Sequence, residues 1–324
     1  MSPDGKLVAY SSNRSPEGER DLYVKQIPGG HPIRLTFDGA GNTTPDFSPD
    51  GSKIVFRSNR DGGGIYEIPA LGGDARLLAR GGLNPRVSPD GSQVAFWLGG
   101  GNVAAAVPGS GSVWVVSAAG GPPQRVGSSF TSARYPIWSP DGKHLLFIGY
   151  TSTKPYDSTS IDWWLLANEG GRAVRTGAYE ALVRAGVQGR DFTDNPSSPI
   201  PVPNVPRPLC WLAATNSVIF STRSGDTSNL WETGISPGTG KVSGVFKRYR
   251  GSRKRSGTSC ASGDALTFAN ANTSTDIWLQ PFDLNRAKAK GAPQRITQGL
   301  PSRNTSRFPA MAAISPSFPI GRAG

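Results

Sequence analysis

The chain has few of the residues on which metal centres and disulfide-rich scaffolds depend. Its 324 residues include only two cysteines and two histidines. Cys210 and Cys260 do not have the spacing of a metal motif, so we expect two reduced thiols rather than a disulfide framework. His31 and His144 are distant in sequence and fall in or beside predicted turns. They therefore supply neither a catalytic pair nor a ligand cluster.

Long hydrophobic runs are also missing. No apolar stretch reaches the roughly 18–20 residues that cross a bilayer, and the N-terminal residues do not have the pattern of a secretion signal. Gly-x-Ser-x-Gly occurs once, in GISPG at 234–238, which we interpret as part of an extended turn between the third and fourth strands of its unit rather than as a strained turn that holds a nucleophilic serine. We therefore expect no enzymatic activity, no cofactor, no metal and no membrane insertion. The chain as written is predicted to be cytoplasmic, or periplasmic if its natural N-terminus lies upstream.

What the chain has in abundance is glycine and proline, with 42 and 28 residues and no collagen-like period. The tetrapeptide Ser-Pro-Asp-Gly begins at residues 2, 48, 88 and 139. Proline presets φ for a turn, aspartate tolerates the next position, and glycine accepts the positive φ that closes a hairpin. We interpret these residues as structural rather than as metal ligands. They are Asp4, Gly5, Asp50, Gly51, Asp90, Gly91, Asp141 and Gly142.

An internal repeat surrounds the tetrapeptide. Each unit has a first strand, the turn, an alternating second strand, a variable loop, a third strand, a turn that is usually Gly-Gly and a short fourth strand. The aromatic residues that end the second strands are separated by 46, 40, 51, 73 and 48 residues. They are Tyr10, Phe56, Phe96, Phe147, Phe220 and Phe268. Four antiparallel strands per unit predict an all-β fold, a six-bladed β-propeller.

The predicted domain is a single propeller over residues 1–312. Residues 307–312, RFPAMA, match residues 134–139, RYPIWS, and are predicted to supply the first strand of blade one and close the ring. Residues 313–324 are expected to be a disordered tail. The predicted units are about 1–43, 44–83, 84–132, 133–205, 206–255 and 256–303, with 304–312 completing blade one.

The units resemble a known family. FSPDGSKIVF at 47–56, DLYVKQI at 21–27 and IRLT at 33–36 are similar to the repeats of TolB-like six-bladed β-propellers, relatives of the WD-repeat propellers. The resemblance covers residues 1–312. It implies one of several roles: periplasmic partner binding, the sensing half of a membrane kinase or winged-helix regulator, or the lid of a prolyl-oligopeptidase-type hydrolase. The sequence leaves open whether the chain is complete or the C-terminal piece of such a protein.

Binding is predicted on the face that carries the long loops. That face also receives a Pro-rich insertion at 176–205, of undetermined conformation, and most of the cations behind the net charge of +12. Nucleic acid is not expected as a partner, because no reading module accompanies the basic stretch at 241–255. The alternative that these cations are ordinary solvated side chains without a binding role stays open. The candidate binding residues are Asn13, Arg14, Asn59, Arg60, Arg134, Arg248, Arg250 and Arg253.

The function that best fits the sequence is a non-enzymatic scaffold. It would bind a protein or peptide, acidic in character, as the sensor portion of a bacterial signalling protein, and it would be monomeric unless part of a longer chain. The alternative is the gating propeller of a hydrolase whose catalytic domain is encoded elsewhere. Replacing Arg14, Arg60 and Arg134 with Ser is expected to abolish binding at nearly unchanged stability. Asp46 and Arg86, which follow proline in neighbouring units, are predicted to approach each other.

Overall fold

The computed structural model describes most of the chain. The described residues are 1–14, 18–100, 105–187, 205–224, 227–236, 238–249, 260–262, 265–271, 275–283, 288–289 and 291–295. They form 24 strands and one short α-helix, and the strands make six antiparallel sheets in chain order. Each sheet is numbered after the sequence unit that forms it.

The first unit forms a sheet of three strands rather than four. These are β1 (Leu7–Ser12), β2 (Asp21–Gln26) and β3 (Ile33–Arg34). β1 pairs with β2 over six residues, and β2 pairs with β3. Among the described residues, no strand pairs with the other edge of β1.

Units two to five each form a four-stranded blade in which spatial order follows chain order. Blade two contains β4 (Thr43–Phe47), β5 (Lys53–Ser58), β6 (Gly64–Pro69) and β7 (Arg76–Arg80). Blade three contains β8 (Leu83–Val87), β9 (Gln93–Gly99), β10 (Gly111–Ser117) and β11 (Gln124–Val126). Blade four contains β12 (Ser132–Trp138), β13 (His144–Tyr150), β14 (Ile161–Ala167) and β15 (Val174–Arg175). Blade five contains β16 (Pro208–Leu212), β17 (Ser217–Ser224), β18 (Thr227–Gly234) and β19 (Lys247–Tyr249).

Unit six forms a sheet of five strands. They are β20 (Cys260–Ser262), β21 (Ala265–Ala271), β22 (Thr275–Asp283), β23 (Lys288–Ala289) and β24 (Gln294–Arg295). β22 is nine residues long and pairs with β21 on one edge and with both short strands on the other.

The prediction of six blades is therefore wrong. The structure has five blades, because the first unit supplies only a three-stranded sheet. The sequence repeat identifies each hairpin, because each hairpin is closed by its own local turn. It does not establish that every hairpin belongs to a complete blade. A first strand for unit one would have to come from a distant part of the chain, which local patterns do not specify. The segment predicted for that role, 307–312, lies outside the described residues.

The four tetrapeptides close their hairpins through the same hydrogen bonds. At residue 48, Ser48 Oγ donates to Asp50 Oδ1 at 2.6 Å, and the Ser52 N–H donates to the same oxygen at 3.0 Å. The N–H of Gly51 donates to the Ser48 carbonyl at 2.9 Å, with a glycine φ of 71°. The other copies repeat the serine, N–H and glycine contacts. The turn sequence thus specifies each hairpin locally.

The hydrophobic core lies between successive sheets. Leu22 of the first sheet packs with Phe56 of blade two, and Val55 of blade two packs with Phe96 of blade three. All four side chains are buried. Successive side chains of a strand point to opposite faces of its sheet, so each blade contributes one apolar layer to each neighbouring blade. Burial of each such side chain is worth about 1.5–3 kcal/mol.

Among the described residues, one α-helix and one short 3₁₀-helix, Arg60–Gly62, interrupt the β-structure. α1 (Ala178–Arg184) lies in the first part of the insertion whose conformation the sequence left open. Ala178, Ala181 and Leu182 are buried and pack against the core of blades four and five. Residues 188–204 of the insertion lie outside the described residues. In the part of the chain that is described, no helix is long and apolar enough to cross a membrane.

Candidate binding site

The two ends of each blade differ in their connections. In blade two, Thr43 pairs with Arg57, Arg57 with Ile65 and Ile65 with Ala79, so these four residues lie at one end of the sheet. The loop between β5 and β6 leaves from this end, which we call the loop end. The Ser-Pro-Asp-Gly and Gly-Gly turns lie at the other, the turn end. The first strands of neighbouring blades contact each other.

A β-bulge distorts the first strand near the loop end. In blade two the pairing of β4 with β5 shifts register between Thr43 and Asp46, and blades three and four repeat the shift. The residue inside each bulge precedes a proline and has a positive φ, 51° at Thr44, 52° at Asn84 and 55° at Tyr135. This conformation costs a non-glycine residue roughly 1–2 kcal/mol. A strained backbone conformation persists only where the surrounding structure enforces it, and such positions often lie at binding sites.

In blade five the pre-proline residue is Arg207, which stands one repeat position earlier than Tyr135, because Trp211 pairs with Val218 as Trp138 pairs with Leu145. Thr44, Asn84, Tyr135 and Arg207 form the pre-proline set, and all four are partly buried. Two neighbours of the set are in contact, because the Arg207 guanidinium carbon lies 4.7 Å from the centre of the Tyr135 ring. The Tyr135 ring also packs edge-on against Trp97 at 5.1 Å. The set therefore extends across four successive blades at the loop end.

Blade three satisfies its member of the set internally. Trp97 Nε1 donates a hydrogen bond to Asn84 Oδ1 at 3.3 Å. Trp97 stands thirteen positions after Asn84, and Arg57 stands at the same position after Thr44 in blade two. The hydrogen bond shows that side chains at these two repeat positions reach each other.

Blade two has unsatisfied groups at the same two positions. Thr44 Oγ1 and Arg57 Nη1 are both buried atoms, and neither has a hydrogen-bond partner among the described residues. Arg57 also forms no ion pair there, and its burial lowers the pKa of its guanidinium. The guanidinium lies so close to Gly63 that a Cβ there would be 2.8 Å from Arg57 Nη2.

The residues predicted from the sequence are distributed differently from this site. Asn13 and Arg14 are exposed just after β1, and the Arg14 guanidinium carbon lies 5.9 Å from the centre of the Tyr23 ring. Asn59 is exposed between β5 and β6, next to Arg60. These residues belong to the loop end, but at the first sheet and blade two rather than around the pre-proline set.

Arg60 is held in a hydrogen-bond network between the first sheet and blade two. Its Nη2 lies 2.7 Å from Asp38 Oδ2, and Asn42 Nδ2 donates to Asp38 Oδ1 at 2.7 Å. Asn42 also donates to Thr36 Oγ1 at 3.1 Å, and that hydroxyl donates to the buried Asp21 at 2.9 Å. The Arg60 charge is thus already matched by a carboxylate.

Arg134 is buried, with 1% of its surface exposed. Its Nη2 donates to the Ser110 carbonyl, and its guanidinium carbon lies 4.8 Å from the centre of the Trp97 ring. The expectation that Arg14, Arg60 and Arg134 lie together on an exposed face is therefore wrong for Arg134, and the effect of replacing all three with Ser stays a prediction. The sequence gives the loop-end location, but not which way a side chain on the first strand points.

Arg248 lies on β19, the outer strand of blade five, opposite Trp231 and exposed to solvent. It is not part of the loop-end connections. Arg250 and Arg253 lie outside the described residues.

The tetrapeptide aspartates lie at the turn ends of their hairpins, bound to their own turns. Hydrogen bonds from Ser48 and Ser88 lower the pKa of Asp50 and Asp90 to about 2. The serine bonds also lower the pKa of Asp4 and Asp141. Within the described ranges, no three His, Cys, Asp or Glu side chains converge as a metal site would require.

The predicted approach of Asp46 and Arg86 is confirmed. Asp46 Oδ1 lies 3.7 Å from Arg86 Nη1, and Asp46 Oδ2 accepts the Val87 N–H at 2.9 Å. Sequence reasoning missed the pre-proline set itself and Arg57. The available signal was the X-Pro dipeptide that begins four residues before the Ser-Pro-Asp-Gly turn in blades two, three and four.

Comparisons with known proteins agree with this architecture. Residues 1–105 match the family model of the TolB beta propeller domain. A curated relative, an uncharacterized protein of Agrobacterium fabrum, is 36% identical over 99 residues, which are 29% of this chain and 33% of the relative. The chain thus matches about one third of that relative's length.

Two solved structures share the fold. TolB from Acinetobacter baumannii superposes with a TM-score of 0.61 at 16% identity, covering 92% of this chain and 65% of that one. A puromycin-hydrolyzing peptidase from Mycobacterium tuberculosis gives a TM-score of 0.50 at 14% identity, covering 88% of this chain and 44% of the peptidase. At these identities the likeness concerns the fold alone. The predicted resemblance is confirmed: residues 1–105 match the TolB beta propeller domain, and the described chain shares the propeller fold of TolB.

Proposed function

We propose that the chain is a non-enzymatic scaffold that binds a protein or peptide partner at the loop end, as the sensing part of a bacterial signalling protein. The observation that carries the proposal is the strained pre-proline position. Three successive blades hold a non-glycine residue at positive φ, at the same place and beside the loops. A bulge changes the direction in which a side chain points, and bulges often serve this purpose beside binding sites. The repeated backbone strain therefore supports a binding role for this position.

The chemistry of the pre-proline set favours a peptide over a small molecule. Its members offer a hydroxyl, an amide, an aromatic ring and a guanidinium, and they lie on four successive blades. A ligand that contacts them together has to be extended. Tyrosine and arginine are also the residues that most often anchor protein interfaces.

Charge supports an acidic partner. The chain carries a net charge of +12, which accelerates encounter with acidic surfaces at low ionic strength. Arg14 and Arg207 belong to the loop end and add local positive charge there.

The test compares two double variants matched in chemistry. The loop-end variant is Tyr135→Asn with Arg207→Ser, since asparagine tolerates positive φ and is the residue of blade three. The turn-end variant is Leu71→Ala with Lys143→Ser. Like the loop-end variant it removes one large side chain and one cation, and both of its residues are exposed. Peptides selected from a random displayed library on the unmodified chain are measured for affinity against all three proteins.

We expect the loop-end variant to bind the selected peptides at least about tenfold more weakly, the equivalent of losing about 1.4 kcal/mol. The turn-end variant should bind as the unmodified chain does. Equal affinities for the two variants, or failure to select any peptide, would refute the proposed site.

A second candidate function is the gating propeller of a prolyl-oligopeptidase-type hydrolase. The fold of the puromycin-hydrolyzing peptidase, of which this chain covers 44%, favours it. It predicts that the chain forms a stable complex with a separately encoded protein bearing a Gly-x-Ser-x-Gly turn and changes which peptide lengths that protein cleaves. The signalling proposal predicts no such effect on cleavage.

A further inference from the structure

The loop end of blade two carries two polar groups with no partner in the described structure. Thr44 Oγ1 and Arg57 Nη1 are both buried atoms. A buried donor left without an acceptor costs about 1–3 kcal/mol, and more when it is charged. Native proteins rarely leave such a group unused, so each requires an explanation.

The two groups belong to one location. Thr43, next to Thr44, pairs directly with Arg57. In blade three the equivalent side chains, Asn84 and Trp97, are hydrogen-bonded at 3.3 Å. Blade three therefore pairs a donor with an acceptor at these positions, whereas in blade two Arg57 Nη1 and Thr44 Oγ1 are not hydrogen-bonded to each other.

Arg57 differs from three other arginines that are partly buried beside a sheet. Arg34, Arg60 and Arg175 each contact a carboxylate at 2.7–2.9 Å. Arg57 has no carboxylate within ion-pairing distance among the described residues, although it is partly buried. A partly buried guanidinium is stabilised most by a bidentate oxygen acid.

We propose that Arg57 and Thr44 form a subsite for an anionic oxygen group, and that the ligand is a carboxylate of the protein or peptide partner. This inference deepens the proposed function and rests on it for the source of the carboxylate. The guanidinium supplies two parallel N–H donors, the threonine hydroxyl supplies a third, and no bond is made or broken. A phosphate group has the same acceptor chemistry and is the competing ligand.

The test uses the full unmodified chain with isotopically labelled arginine side chains, and it needs no partner. The probes are sodium acetate, sodium phosphate and sodium chloride at matched ionic strength. The Arg57 Nε–H resonance is identified from its disappearance in Arg57→Lys. We expect acetate to shift this resonance saturably, while the exposed Arg80 on β7, the outer strand of the same blade, serves as the control that reports non-specific ion effects.

Two variants sharpen the result. Thr44→Val removes the hydroxyl at constant shape and should weaken acetate binding about tenfold, whereas Thr44→Ser keeps the hydroxyl and should bind acetate as the unmodified chain does. A shift of the Arg57 resonance no larger than that of Arg80 would overturn the subsite. Saturation by phosphate with little response to acetate would overturn the carboxylate assignment.

Failure of this subsite can be distinguished from failure of the proposed function. Peptides that need Tyr135 and Arg207 but leave the Arg57 resonance unmoved would retain the scaffold and reject the subsite. Saturable acetate binding without any selected peptide would retain the subsite and reject the proposed scaffold function.

Discussion

Asp46 Oδ1 lies 3.7 Å from Arg86 Nη1 across the boundary between blades two and three. Both residues follow the proline of a first strand, and the second carboxylate oxygen accepts the Val87 N–H at 2.9 Å. One side chain thus joins two blades through a charge contact and a backbone hydrogen bond. The contact shows how the same repeat position can connect neighbouring units.

Removing one side of this pair should be more harmful than removing both. We expect Asp46→Ala to lower the free energy of unfolding by about 2 kcal/mol, because a charge-assisted backbone bond is lost and a buried arginine loses a carboxylate. The double variant Asp46→Val with Arg86→Met should lose less than the sum of its single variants, measured by urea unfolding. Strictly additive losses would show that the two groups act independently.

The turn aspartates predict an acid dependence of stability. The folded pKa of Asp50 is about 2, below the ordinary value near 3.9. Its stabilisation is therefore present above pH about 4 and is lost as the pH falls toward 2. Asp50→Asn should flatten the fall in thermal midpoint between these values. Asp74→Asn, an exposed aspartate outside the four tetrapeptides, is the control. Equal pH profiles for both variants would contradict the assignment.

Arg60 is predicted to be structural. Replacing it with Ala removes the contact with Asp38 and the hydrogen bond from its Nε to Ser58 Oγ at 3.0 Å. We expect a loss of about 1–2 kcal/mol in the free energy of unfolding. Arg14→Ala removes the same charge from an exposed position and should cost about 0.5 kcal/mol or less. A larger loss for Arg14→Ala than for Arg60→Ala would contradict the network described above.

Gly111 leaves room for the buried Arg134 between blades three and four. A Cβ at Gly111 would stand 2.7 Å from Arg134 Cγ and 3.1 Å from the Ala133 carbonyl oxygen. Gly111→Ala should therefore cost about 1–3 kcal/mol through overpacking. Gly238→Ala is the matched control, since nothing lies within 4 Å of its Cβ position. Calorimetry of the two variants checks the difference, and equal midpoints would show that Arg134 can move aside.

Part of the candidate site could be predicted from the sequence. The alternation of the strands and the spacing of the turns placed Arg14, Asn59 and Arg60 at the loop end. They could not show that Arg60 contacts Asp38, because Asp38 lies 22 positions earlier and follows the first sheet. Nor could they show the positive φ of Thr44, since a residue before proline ordinarily adopts extended backbone. That conformation accompanies the bulge in the pairing of β4 with β5, which the local sequence does not specify.

The sequence by itself determined the repeating hairpins, because proline, aspartate and glycine act within four residues and need no distant partner. It likewise determined the second and third β-strands of each unit and the resemblance to TolB-like propellers. The tertiary structure decided that the first sheet has three strands, that Arg134 is buried while Arg14 is exposed, and that Arg57 has no carboxylate within reach among the described residues. These outcomes depend on which strand of one blade lies against the next, and the free energy of that contact is shared between segments far apart in the chain.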